Sequence, residues 1–314
     1  MKNLKHNPIW YLVSIGITLA CFYLLYRLII PNLESLLAVR NNFQVGPILL
    51  TIPVYFTGLY AASVVWGKMM NDLTTPLPMR LHQNIYIVTH AARRLPGSVW
   101  HVLGRIAWYE RLGIRKGITA FANVLETVLI VLSGLVIVAV FFPLLTDESG
   151  IALWQLGLGI GIGLLAIHPR FIQVIMKKLG QEPASHKISY PLVIKWFIYY
   201  LVIWLTGGTV LFLIVRAMNP VPLSLWPVCI VIWCTAGVVG MLIIILPSGL
   251  GLNEATISLL LALHIPSSIG VAAAIIIRIL LTLYEFVIAA VLIGLRNRLN
   301  LPGYPPAESI KPGN

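Results

Sequence analysis

Three ionisable residues, Glu254, Arg278 and Glu285, lie in an otherwise almost entirely apolar stretch, residues 246–285. The same stretch is interrupted by helix-breaking residues, which are Pro247, Gly249, Gly251 and Pro266. Charged side chains inside a membrane are costly and by default indicate a functional site. Irregular backbone at that depth persists only where it is buried in protein or lines a wet cavity. We therefore expect this stretch to bind a polar group within a membrane.

Arg278 requires a partner of opposite charge, because it lies deep in the last apolar run, residues 267–295. Insertion scales assign an arginine at such a position a cost of about 2.5–3.5 kcal/mol. Glu285 lies about 10 Å further along the same helix, too far for direct pairing. Glu254 or Glu126, from other predicted helices, are better candidates. The contact would be either a structural ion pair or part of an anion or proton site, and we favour the second.

Glu254 also has a structural explanation. Asn253 can cap a helix that begins at Glu254, and the carboxylate would then lie at the positive end of the helix dipole. The functional alternative is that free N–H groups beside Gly249 and Gly251 also hold a phosphate or a carboxylate. The sequence leaves both explanations open.

A second unusual stretch, residues 79–111, is too polar to cross a membrane and too apolar for an ordinary solvated loop. Pro96 suits the first turn of a helix, so we predict a break there, followed by an interfacial or re-entrant half-helix. Arg93, Arg94 and Arg105 would hold a lipid phosphate through forked contacts. The alternative is a basic loop that lies on anionic headgroups.

The composition indicates a polytopic membrane protein. Hydrophobic residues make up 59% of the chain and charged residues only 10%, against about 25% charged residues in soluble domains. We predict a single membrane domain over residues 1–300 and a disordered tail over residues 301–314, which is rich in proline. The net charge of +12 fits basic cytoplasmic loops, so no nucleic-acid partner is expected.

Apolar runs long enough for membrane helices, about 20 residues each, recur along the chain. They are residues 9–30, 47–70, 118–142, 151–167, 192–215, 225–246 and 267–295, with a shorter run at 249–263. Basic residues concentrate in the connections 68–116 and 168–195, which places these connections and the N-terminus in the cytoplasm. Arg296 and Arg298 place the C-terminus there too.

We therefore predict an all-α protein of the inner (cytoplasmic) membrane with about eight transmembrane helices and broken or re-entrant helices near residues 94–106 and 247–264. If residues 249–263 are re-entrant, seven crossings result. The two broken stretches hold matching places in the two halves of the chain, which is the best sequence indication of a transporter's binding site. Coincidence explains the match equally well, because Leu-Pro-Gly is common at helix ends.

Motifs for several enzyme classes are absent. The sequence contains no P-loop, no G-x-S-x-G and no H-E-x-x-H motif, and its two aspartates form no D-x-D motif. We predict no catalytic residue, no metal site and no cofactor. His82, His90 and His101 are interpreted as packing or hydrogen-bonding residues.

Two motifs are similar to the flippase-like membrane region of bacterial lysylphosphatidylglycerol synthases. The first is Leu95-Pro96-Gly97-x-x-Trp100-x-x-x-Gly104-Arg105, followed by a span that carries Glu126. The second is Pro247-x-Gly249-x-Gly251-x-Asn253-Glu254-Ala255, followed by Arg278 and Glu285. The resemblance extends over residues 9–295. Members of the family often carry arginine where this chain has Asn253.

The resemblance implies the translocation half of such a protein, without the soluble aminoacyl-transferase domain. The function would be to move a lipid or lipid-linked headgroup between leaflets in envelope lipid or glycolipid biogenesis. Membrane lipids are the expected partners, and an envelope lipid- or polysaccharide-synthesis enzyme is a further candidate. The candidate substrate-binding residues are Arg278, Glu254, Arg94, Arg105, Glu126, Glu285, Gly249 and Gly251. The alternatives are a membrane transferase acting on a lipid carrier, with Glu254 or His101 as base, and a non-catalytic scaffold for a lipid-modifying synthase.

Overall fold

The computed structural model describes most of the chain between residue 30 and residue 295. The described residues are 30, 33–38, 43–94, 99–141, 153–179, 188–242 and 252–295. Within these ranges the secondary structure is helical and contains no strand. The first apolar run, both breaks in the backbone, Gly249, Gly251 and the tail lie outside the described residues, so the expectations about them stay predictions.

Eleven α-helices occur in the described ranges. They are α1 (Leu33–Ala38), α2 (Val45–Leu73), α3 (Met79–His90), α4 (Trp100–Arg111), α5 (Lys116–Phe141), α6 (Leu153–Ala166), α7 (Pro169–Lys178), α8 (Tyr190–Met218), α9 (Leu225–Leu242), α10 (Leu252–Leu261) and α11 (Ser267–Leu295). A short 3-10 segment, Ala91–Arg94, continues α3.

Four of these helices, α2, α5, α8 and α11, are long and apolar enough to cross a membrane. They contain 26–29 residues and are about 39–44 Å long, against a hydrocarbon core of about 30 Å. The prediction of an all-α membrane protein is therefore confirmed, but the count of about eight crossings is not. The 10 residues of α10 reach about 15 Å, which favours the re-entrant alternative for this segment.

Helices α2 and α8 pack antiparallel and define the two ends of the molecule. At one end the backbone N–H of Gln44 donates to the carbonyl of Ala217 over 2.7 Å. At the other end the indole N–H of Trp196 donates to the carboxylate of Asp72 over 3.3 Å. We refer to these as the Gln44 end and the Asp72 end.

The described part of residues 79–111 consists of two short helices, α3 and α4, which we call the hairpin, and α4 lies where a half-helix was predicted after the break. His82 on α3 contacts Tyr109 on α4, whereas Thr89 contacts Arg105, so the two legs run antiparallel. The first leg, α3, was not predicted from the sequence, because its polar residues resemble those of a loop. Its apolar residues nevertheless lie on one face, which packs into the core.

The hairpin enters the protein from the Asp72 end and returns to it. Residues 74–78 join α3 to α2, and residues 112–115 join α4 to α5. In the connection between α4 and α5, Gly113 adopts a φ of 83°, a conformation that favours glycine. Each leg has 12 residues, or about 18 Å, which is too short to cross a bilayer. The hairpin is therefore re-entrant in shape, and Arg94 lies at its tip.

A closed hydrogen-bond network holds the base of the hairpin. The His82 Nε2 atom lies 2.8 Å from Asn71 Oδ1, and its Nδ1 atom lies 2.6 Å from the Tyr109 hydroxyl. That hydroxyl accepts a hydrogen bond from the Trp66 indole. Burial lowers the pKa of His82 to about 4, so the neutral ring donates through Nε2 and accepts through Nδ1. His82 is therefore a hydrogen-bonding residue, as the sequence suggested.

Close helix contacts at glycine hold α8 against α9, and this leads to a first prediction. A Cβ atom on Gly208 would lie 2.4 Å from the Cα atom of Ile230. Because backbone atoms cannot rotate away, Gly208→Ala forces the two helices apart and is expected to destabilise the protein by about 1–3 kcal/mol. The unfolding midpoint in detergent measures this effect.

The matched control for that measurement is Gly161→Ala in α6, where no described atom lies within 4 Å of the new Cβ. Alanine is a better helix former than glycine, so the control should equal or exceed the stability of the wild-type protein. Equal midpoints for Gly208→Ala and the wild type would contradict the close approach of α8 and α9.

Candidate functional site

The described interior contains three pairs of arginine and glutamate, in which every side chain except the partly exposed Arg94 is buried. All six residues are among those selected from the sequence, and the pairs are Arg278–Glu254, Arg94–Glu285 and Arg105–Glu126. Removing one partner of a buried ion pair is far more destabilising than removing both, because it leaves an uncompensated charge. The three pairs are therefore sites at which single substitutions should have large effects.

The first pair joins α10 to α11. Arg278 Nη1 donates to Glu254 Oε1 over 2.9 Å, and both side chains are about nine-tenths buried. Helix α10 packs antiparallel to the first half of α11, with Gly270 close to the backbone of Ser258. The prediction that Arg278 pairs with a glutamate from another helix, either Glu254 or Glu126, is confirmed for Glu254.

The predicted cap at Asn253 is wrong. Helix α10 begins at Leu252, so Asn253 lies inside the first turn and not before it. Its Oδ1 atom is buried and accepts no hydrogen bond from the residues that the structure describes. A Cβ atom on Gly240 of α9 would lie 2.1 Å from this oxygen. Packing between α9 and α10 therefore holds the Asn253 side chain away from the end of its own helix.

The second pair joins the tip of the hairpin to α11. Arg94 makes a forked contact with Glu285, Nε to Oε2 over 2.8 Å and Nη2 to Oε1 over 2.6 Å. Tyr55 on α2 donates to the same carboxylate over 2.7 Å, and Glu285 is 1% exposed. Glu285 therefore neutralises Arg94 in this conformation, and the contact of Arg94 with a lipid phosphate stays a prediction.

The third pair lies between α4 and α5. Arg105 Nη1 donates to Glu126 Oε2 and to Asn123 Oδ1. The guanidinium centre also lies 4.2 Å from the ring centre of Trp66 and 4.2 Å from that of Tyr86. Arg105 is thus held between two aromatic faces, an arrangement that stabilises a desolvated cation by about 2 kcal/mol or more. The aromatic partners were not found from the sequence, because they belong to α2 and α3.

Two tyrosine hydroxyls also lie near the carboxylate of this third pair. The side chains of Tyr86 and Tyr200 both interact with Glu126, and the Tyr200 hydroxyl is buried. Glu126 is therefore surrounded by polar groups from several helices besides Arg105.

The pairs lie at successive depths. Pro266, just before α11, and Asn219, just after α8, line the same cavity, so α11 begins at the Gln44 end. Arg278 then lies about 16 Å along α11 and Glu285 about 27 Å along it. Arg105 lies about 9 Å from the end of α4 at the Asp72 end. The order from the Gln44 end is Arg278–Glu254, Arg94–Glu285 and Arg105–Glu126.

No protein-family model matches this chain, and no curated protein matches it either. The resemblance to lysylphosphatidylglycerol synthases therefore stays a hypothesis that rests on the two sequence motifs.

The two halves carry the same kind of pair with the charges exchanged. In the first half the short helix α4 supplies Arg105 and the long helix α5 supplies Glu126. In the second half the short helix α10 supplies Glu254 and the long helix α11 supplies Arg278. In both halves a short helix before a long one is present, as the matching sequence pattern predicted. Each pair is electrically neutral, and the two halves differ only in which helix supplies the arginine.

Proposed function

We propose that this protein moves a lipid, or a lipid-linked headgroup, between the two leaflets of a membrane. The observation that supports this function is the series of three buried Arg–Glu pairs at successive depths in an otherwise apolar helical interior. Charged residues in such an environment are costly unless they are paired. Three pairs at successive depths provide polar binding positions along a path that a headgroup would otherwise cross through hydrocarbon.

Each Arg–Glu pair offers both signs of charge. When a pair opens, its arginine binds a phosphate through forked hydrogen bonds, and its glutamate binds an ammonium or hydroxyl group of the same headgroup. A zwitterionic headgroup therefore replaces an Arg–Glu contact without leaving either charge unpaired, which avoids the penalty for a single buried charge. The acyl chains stay in the bilayer throughout.

The hairpin tip is the element that opens the path in this proposal. Arg94 connects the tip to Glu285 of α11 and, through that carboxylate, to Tyr55 of α2. A headgroup that takes over either Arg94 or Glu285 releases the hairpin from α11. The hairpin contributes only short helices, so it can move without displacing the four long helices.

The proposed setting of this activity is the inner (cytoplasmic) membrane, in keeping with the resemblance to bacterial proteins. The positive-inside rule supports an orientation in which the basic Asp72 end and the N-terminus face the cytoplasm. Transport there would serve the biogenesis of envelope lipids or glycolipids, with a lipid- or polysaccharide-synthesis enzyme as a partner.

Leaflet exchange in proteoliposomes tests the proposal. Fluorescent lipids with anionic, zwitterionic and uncharged headgroups are reconstituted with the wild-type protein, with Arg278→Ala or with Glu254→Ala. Wild-type vesicles are expected to exchange lipid faster than protein-free vesicles, and each variant is expected to lose most of this rate, because either substitution leaves its buried partner unpaired. Exchange at the protein-free rate for every headgroup would contradict the proposal.

A second variant separates transport from folding. Arg278→Met with Glu254→Met removes both charges and leaves a hydrophobic contact of similar size, which is tolerated at many buried pairs. This double variant should unfold at a midpoint near that of the wild type and yet fail to exchange lipid. Wild-type exchange in this variant would show that the pair is only structural.

A further inference from the structure

Arg93 differs from the other interior arginines, because it forms no hydrogen bond or ion pair with any residue that the structure describes. It is half-buried in the segment Ala91–Arg94 at the hairpin tip. Its neighbour Arg94 is neutralised by Glu285. No described residue therefore neutralises the charge of Arg93 at the point where the hairpin meets α11.

His90 lies beside this charge. It precedes Arg93 by three residues, a spacing that places two side chains on the same face of a helical turn. The Nε2 atom of His90 is 3.7 Å from Glu285 Oε1, a contact that favours a proton on Nε2. The Nδ1 atom then carries a lone pair, and it is buried without a hydrogen-bond partner among the described residues.

We propose that Arg93 and His90 form a subsite for the phosphodiester group of a headgroup at the hairpin tip. The guanidinium of Arg93 binds two oxygens of the singly charged phosphate, which neutralises the leftover charge. His90 Nδ1 accepts a hydrogen bond from a hydroxyl or ammonium group attached to that phosphate. This inference rests on the proposed function, since it assigns the substrate class and the first point of contact to the same path.

The position of the subsite explains how a substrate would open the path. A phosphate bound by Arg93 lies next to the pair of Arg94 with Glu285, so it competes with the carboxylate for Arg94. The two adjacent arginines can then share one phosphate, while Glu285 becomes free for the cationic or hydroxyl part of the headgroup.

Equilibrium binding to the full-length protein in detergent tests the subsite. The probes are phosphatidylglycerol, phosphatidylcholine, diacylglycerol and inorganic phosphate, and the variants are Arg93→Gln and Arg80→Gln. Arg80 is an exposed arginine at the start of the same hairpin and serves as the matched control. Arg93→Gln is expected to weaken the binding of both phospholipids about tenfold or more, as for the loss of a charged hydrogen bond. Diacylglycerol binding and the Arg80→Gln variant should be unaffected.

The probes also distinguish the source of the phosphate. If inorganic phosphate displaces phosphatidylglycerol from the wild type but not from Arg93→Gln, the subsite binds free phosphate. If inorganic phosphate does not displace phosphatidylglycerol from the wild type, the subsite binds the lipid headgroup. Equal binding of all probes by the wild type and Arg93→Gln, with both proteins folded, would overturn the subsite.

Because Arg93 has no described partner, the unfolding midpoint of the variant should match that of the wild type. Leaflet exchange by the wild type tests the proposed function separately, since a transporter can fail at this subsite and still exchange lipid.

Discussion

Glu285→Ala is expected to lower the free energy of unfolding by about 3–5 kcal/mol, the usual cost of leaving one member of a buried ion pair without its partner. Glu285 is 1% exposed and accepts hydrogen bonds from Arg94 and Tyr55. Its loss leaves the partly buried guanidinium of Arg94 and the hydroxyl of Tyr55 on α2 without this acceptor at the same time. The substitution therefore affects three helices that are far apart in the sequence.

The unfolding midpoint in detergent measures this loss, and a double variant tests its cause. Arg94→Leu with Glu285→Leu should recover much of the stability, because no buried charge is left unpaired. Glu110→Ala is the control, since its pair with Lys116 is exposed and exposed pairs contribute little. If Glu285→Ala unfolds at the same midpoint as Glu110→Ala, the contact between the hairpin and α11 is not formed in the protein.

Arg105→Lys is expected to destabilise the protein by about 2–4 kcal/mol even though it conserves the charge. Lysine lacks the planar guanidinium whose Nη1 atom contacts both Glu126 and Asn123, and it cannot stack between two aromatic rings in the same way. The lost stacking costs about 2 kcal/mol. The charged hydrogen bond contributes about 1.5–3 kcal/mol, of which the lysine ammonium recovers a part. Trp66 and Tyr86 would then face a cavity.

Amide hydrogen exchange shows which helices Arg105→Lys destabilises. Amide protection in α3 and α4 should fall before protection in α5, because Arg105 joins the hairpin to the long helices. Arg111→Lys, at the exposed end of the same helix, is the matched control and should leave protection unchanged. A uniform loss across all helices would indicate that Arg105 stabilises the whole fold and not the hairpin in particular.

One of the three ion pairs, Arg94–Glu285, connects the two broken stretches. Arg94 belongs to the first stretch, yet its carboxylate partner, Glu285, lies on the long helix of the second. A change at the hairpin tip is therefore transmitted to α11, which also carries Arg278. This connection is the physical basis for the opening step in the proposed transport.

Composition and local periodicity were sufficient to predict the general class of the protein. A shortage of charged residues over the whole chain requires a membrane environment, and four of the apolar runs form helices long enough to cross one. The need of Arg278 for a glutamate also followed from the sequence, because an unpaired arginine at that depth is too costly. Glu254 was one of two candidates, and the structure selects it.

The tertiary structure decided which charges meet. Arg94 and Glu285 are separated by 191 positions, and Arg105 is held between rings from two other helices. Such contacts depend on how helices pack, which neither hydropathy nor helical periodicity encodes. Helix α3 was not predicted for the same reason, because its apolar face becomes buried only through packing against α2, α4 and α11. Of the three arginines that sequence reasoning assigned to a lipid phosphate near Pro96, Arg94 and Arg105 pair with glutamates, whereas Arg93 has no described partner.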